Sequence, residues 1–67
     1  MPTPLKELRE TKGFSQDDLS RASTVSKSVI VDLELRRRKP RPSTRRRLAR
    51  ALKVKPEDID LAVAADT

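Results

Sequence analysis

Apolar residues recur along the chain at spacings of three and four and do not alternate over a strand's length, so the pattern reads as short consecutive helices. Leu5 and Leu8 share one face of the first, which Thr3 caps with Pro4 at the first helical position. Gly13, just after Lys12, is its stop signal. Ser15 caps a second helix, with Asp18 three residues on and acid gathered at the positive end of the helix dipole. Leu19 and Ala22 make its apolar side. "STVS" is a turn, and Ser26 caps a third helix, "KSVIVDLEL", with Ile30 and Leu33 inward and Val29 beside them. Two prolines make "RRRKPRP" a loop. A fourth helix, "STRRRLARAL", turns Leu48, Ala49, Ala51 and Leu52 inward. "KVKPED" opens a fifth, with Pro56 in its first turn, Glu57 and Asp58 at its positive end, and Ile59, Ala62 and Val63 following at i, i+3 and i+4. Residues 65–67 should fray. The expected fold is all-α: five short helices in one domain over residues 1–67.

Composition narrows the chemistry. A chain of 67 residues has little apolar surface for a core, and it has neither Cys nor His. Disulfides are excluded and the best zinc and iron ligands are absent, so no metal and no cofactor is expected. Nucleophilic pairs of the Ser–His or Cys–His kind cannot form. Asp17 and Asp18 are neighbours on a helix and point about 100° apart, so they do not make a working carboxylate pair. The chain reads as a non-enzyme. No apolar run approaches the roughly 18 residues of a membrane span, and "MPTPLKELRE" lacks the character of a signal peptide. With no cysteine to oxidise, a cytoplasmic protein is expected, with no membrane partner.

Charge changes the picture most. The net charge is +6, and it is unevenly spread. Arg36 to Arg50 holds nine basic residues and no acidic one, while the rest of the chain holds seven basic against ten acidic. An ordinary solvated face mixes both signs. A single-sign block on a mildly acidic body is a surface for phosphate, in nucleic acid first and acidic lipid second.

The second and third helices are joined by about four residues, which suits a near-perpendicular crossing: a helix-turn-helix over about residues 15–35. Around it, "LKELRETKGFSQDDLSRASTVSKSVIVDLELRRRKP" resembles the lambda-repressor-like (Cro/cI, XRE) family, whose pattern is L-x-x-L-R-x-x-x-G-x-S-Q-x-x-L-A, a V-S turn, I-x-x-[IWL]-E and a basic loop ending in Pro. The matching residues are Leu5, Leu8, Arg9, Gly13, Ser15, Gln16, Leu19, Val25, Ser26, Ile30, Leu33, Glu34 and Pro40. "LARALKV" resembles the family's fourth helix and exit, so the likeness runs from Leu5 to Ile59. Five positions depart from it. Thr24, Arg36 and Lys53 stand where glycines are usual, Ser20 where a small Ala is, and Arg45 where a core Leu is.

The resemblance implies a compact five-helix, lambda-repressor-like domain that binds double-stranded DNA with its third helix in the major groove. With Ile30 and Leu33 inward, Lys27, Ser28, Val31 and Asp32 are the base-reading candidates. Lys27 can donate to guanine, Asp32 can accept from cytosine N4, and Val31 can meet a thymine methyl. Ser15, Gln16, Ser26, Arg37, Arg38, Lys39 and Arg41 are expected at the DNA backbone or groove edge. Arg9 and Glu34 are a structural ion pair in the family. The expected function is a dimeric repressor on an inverted repeat, in the cytoplasm at the nucleoid. Leu61 and Val63 are the candidate dimer contacts, Leu61 because it lies off the fifth-helix stripe. The rival function is a protein-interaction module, an antitoxin or adaptor gripping a protein partner through Val31, Leu35 and Leu61.

Overall fold

A computed structural model describes residues 2–61. In chain order the elements are β1 (Thr3–Pro4), α1 (Leu5–Thr11), α2 (Gln16–Ser23), α3 (Lys27–Glu34), α4 (Pro42–Leu52), a single 3-10 turn (Pro56–Asp58) and β2 (Ile59–Asp60). The strands form one small parallel pair, Thr3 beside Ile59 and Pro4 beside Asp60, so the two ends of the described chain meet.

Helix starts follow their capping residues. The Ser15 hydroxyl accepts from the Asp18 N–H at 3.0 Å, and the Asp18 carboxylate accepts from the Ser15 N–H at 3.1 Å, a reciprocal box that satisfies two otherwise orphaned donors. Those hydrogen bonds hold the Asp18 carboxyl below its ordinary value of 3.8. The Ser26 hydroxyl accepts from the Val29 N–H at 3.3 Å and starts α3. Helix ends need a left-handed residue, and three of the four lack glycine. Gly13 has φ +79°, but Thr24, Arg36 and Lys53 take φ of 59°, 57° and 57° with side chains that disfavour it. At all three positions where the family pattern has glycine, the residue present takes the left-handed conformation itself.

The core gathers Leu5, Leu19, Val25, Ile30, Leu33, Leu48, Ala49, Leu52, Ile59 and Leu61, with Leu8, Phe14, Val29, Ala51 and Val54 packed against it. Ser20, partly buried, has its hydroxyl satisfied by donating to the Val25 carbonyl at 2.7 Å.

Several expectations are corrected. Thr3 does not cap α1: it is strand, Pro4 holds the cap position, and no side chain caps the helix. Ala22 is exposed, and Ser23 takes the buried place beside Leu19. There Ser23 donates to the Leu19 carbonyl at 2.6 Å and accepts from the Val25 N–H at 3.2 Å, bracing the turn. Pro42 begins α4 rather than ending the loop, since its fixed φ and missing N–H cost nothing at a first helical position.

The expected fifth helix is one 3-10 turn leading into strand. Ile59 is extended (φ −97°, ψ 123°), and burial follows a period of two: Ile59 in, Asp60 half out, Leu61 in. The open edge of β1 takes the backbone hydrogen bonds a helix would have used internally. Leu61, expected as an exposed dimer anchor, is only 4% exposed and belongs to the chain's own core. Val63 and Ala62 lie outside the described residues.

Candidate nucleic-acid interface

One buried network sets the orientation of α3. Glu34, at its last turn, accepts from Arg9 Nε at 2.6 Å and Nη2 at 3.4 Å, and from Gln16 Nε2 at 3.0 Å. Arg9 also donates from Nη1 to the Phe14 carbonyl at 2.8 Å. Three helices thus converge on one carboxylate, and the α1–α2 turn is held by the guanidinium that pairs with it. The Arg9 and Glu34 side chains are 10% and 5% exposed, so the charges are nearly desolvated, and every buried side-chain polar atom among the described residues has a partner. The hydrogen bond to Glu34 raises the Arg9 pKa above its ordinary value, against the opposing pull of burial. The expected ion pair is present, and Gln16 braces the third helix through it.

With Ile30 and Leu33 buried, α3 presents Lys27 and Ser28 exposed and Val31 and Asp32 partly buried. Lys27 pairs with Asp17 at 3.3 Å across the turn, and Asp32 pairs with Arg38 at 3.3 Å across the loop. Both pairs are solvated, where such contacts are worth at most about 1 kcal/mol, so a better partner can displace them. Val31, expected among the outward positions, is partly buried. It lines a groove with Lys6, Arg9, Gln16, Glu34 and Leu35.

Ser15 and Ser26 sit at the starts of α2 and α3, where their hydroxyls are already engaged in capping. Arg37, Arg38, Lys39 and Arg41 form the exposed loop between α3 and α4. Arg38, Lys39, Pro40 and Arg41 line a second groove with Val29 and Thr44, so the basic loop continues the edge of α3. Arg36 stands apart from this loop. It meets Asp60 on β2 with two contacts of 3.3 Å, tying the end of α3 to the strand pair.

The order of elements, the buried Arg9–Glu34 seam and the exposed row on a Ser-capped third helix describe a helix-turn-helix in its full setting. The helix-turn-helix family model matches residues 5–59. The chain belongs to this family, of the Cro/C1 (XRE-like) type. A comparison with curated proteins found no match, and a comparison with solved structures found none. This helix-turn-helix family is one of DNA-binding transcription regulators and typically has no enzymatic activity. Among the described residues no group of His, Cys, Asp or Glu is placed to hold a metal, and no helix is long and apolar enough to cross a membrane.

Lys6 and Leu35 share the Val31 groove, and neither is among the DNA-contact residues expected from the sequence. Lys6 reaches the Val31 groove from α1, and nothing in its local pattern marks it, because only the tertiary crossing brings α1 beside α3. Leu35, 53% exposed, was read as a protein-gripping residue and not as a neighbour of the reading row. Its spacing of four from Val31 was the available signal.

Proposed function

We propose that this protein is a sequence-specific, double-stranded-DNA-binding repressor that places α3 in the major groove. The supporting observation is the row of Lys27, Ser28, Val31 and Asp32 on a helix whose pose is fixed from behind by Glu34, Arg9 and Gln16. Lys27 donates to guanine O6 and N7, Ser28 adapts to either partner, and Val31 meets a thymine methyl. Asp32 accepts from cytosine N4 or, keeping its pair, aims Arg38 at the groove edge. The N-terminal ends of α2 and α3, at Ser15, Gln16 and Ser26, and the loop cations Arg37, Arg38, Lys39 and Arg41 take phosphates and set register without reading sequence.

A single helix covers too few base pairs to mark a genomic site, so the reading includes a homodimer on an inverted repeat, acting in the cytoplasm at the nucleoid. With Leu61 in the core, Val63 is the remaining candidate of the two expected dimer contacts. The rival reading, an antitoxin-like or adaptor module, rests on Leu35 and its groove with Val31. It requires an apolar partner there.

Site selection from random duplex, repeated with two variants, tests the proposal. Lys27→Ala should relax preference at one or two positions at a cost of about 1–3 kcal/mol for the selected site. Arg37→Ala should weaken all sequences alike and reduce the salt slope by about one. Selection that enriches no sequence, with the fold intact and no duplex retained, would favour the adaptor reading.

A further inference from the structure

The basic block is not one surface. Ser43, Arg46, Arg47 and Arg50 fall at i, i+3, i+4 and i+7 on α4 and together line one open cleft. At 100° per residue this row lies on the side of α4 opposite Leu48, Ala49 and Leu52, which are buried in the core. All four residues are exposed, and α4 contains no acidic residue. The ion pairs among the described residues use Arg9, Lys27, Arg36 and Arg38, and none uses this row. Nor does the row share a residue with the groove of the α3–α4 loop. It is a second cationic surface, and the reading helix has no part in it.

We propose that this row binds the phosphate backbone of a second DNA duplex, so that a molecule seated on one duplex by α3 can hold another. The proposal goes beyond the repressor reading and rests on it for the first duplex. Three features select the occupant. Guanidinium groups engage phosphate oxygens two at a time, and three of them stand here without competing carboxylates. From Ser43 to Arg50 the helix rises about 10 Å, a length over which one DNA strand presents about three phosphates. A membrane surface fits less well, because a helix that lies on lipid must offer it an apolar face, and that of α4 is committed to the core.

The test is a bridging capture. A duplex carrying the best selected site is immobilised and loaded with protein, and a labelled second duplex without the site is then offered. Wild type should retain the second duplex and release it as salt rises. The triple variant Arg46→Gln, Arg47→Gln, Arg50→Gln keeps strong helix formers on an exposed face, and its melting curve checks the fold. It should bind the site within about twofold of wild type, by the near-additivity of distant positions, yet capture no second duplex. The matching triple Lys variant, which keeps the charge but not the bidentate fork, should restore capture only in part. Wild type that holds the site but never a second duplex overturns the proposal, as does undiminished capture by the Gln variant. Loss of site binding by a well-folded Gln variant also overturns it, by assigning the row to the first duplex. Binding of wild type to phosphatidylglycerol vesicles without duplex capture would reassign the row to lipid. Wild type that binds no duplex at all fails the repressor reading itself, a different result from holding one duplex but not two.

Discussion

Three residues pay a backbone cost that glycine would avoid. Thr24, Arg36 and Lys53 each end a helix in the left-handed region, which costs an L-residue roughly 1–2 kcal/mol, partly offset because glycine loses more entropy on folding. Lys53 is exposed and no ion pair holds it among the described residues, so Lys53→Gly should stabilise the fold by about 0.5–1 kcal/mol. For a domain this small that is a rise of roughly 3–6 °C in melting temperature, readable by circular dichroism. Arg36→Gly should gain less, since it relieves the same strain but gives up the contacts to Asp60. Equal gains at the two sites would mean that the Asp60 contacts contribute nothing. Glu34 behaves oppositely. Glu34→Ala leaves Arg9 charged and nearly buried, a loss of about 3 kcal/mol or more, while the base preference of any folded fraction should stay unchanged. A changed preference with unaltered melting would move Glu34 from the frame to the reading surface.

At the scale of elements, α2 carries a pH signature. The Asp18 carboxylate has a depressed pKa because the folded cap favours its charged form. Its contribution is therefore complete above the ordinary value of 3.8 and is lost as pH falls through the lower folded value. The difference in melting temperature between wild type and Asp18→Ala should shrink across that acid window. A difference that persists at still lower pH would show that the cap works without its charge. The cap was legible in the sequence, as were α1 to α4 and the Arg9–Glu34 pairing, because each is written in local spacing or in a family pattern. The segment after α4 was not. Ile59, Ala62 and Val63 fit a helical spacing, but Ile59 and Leu61 fit a strand equally well, and two or three residues cannot distinguish periods of 3.6 and 2. The deciding partner, Thr3–Pro4, lies more than fifty residues away in sequence. As strand, the segment turns Leu61 into the core, where a helix would have left it off the buried stripe. Leu61→Glu should therefore unfold the protein or lower its melting temperature steeply, where an exposed anchor would have left the monomer intact.

For the whole molecule, the charge is arranged in two directions. Acidic residues neutralise part of α3 and its loop through Asp17 and Asp32, while the outer row of α4 is left unopposed among the described residues. Affinity for DNA should consequently fall with salt at about −0.9 in log–log slope per phosphate neutralised, and the proposed dimer, with roughly four to eight contacts, would give a steep line. Steepness alone is a property of any cation on DNA, so it does not separate reading from sticking. If α3 reads bases, the protein must discriminate between duplexes, read as the ratio of affinities for the best selected site and for random duplex at one physiological salt concentration. A reading helix held by the Arg9–Glu34–Gln16 network predicts a ratio of about a thousand or more, with most of it lost when Lys27 and Ser28 are both changed to Ala. A ratio near one in the folded wild type would contradict base reading by α3, leaving a protein that binds DNA by charge alone.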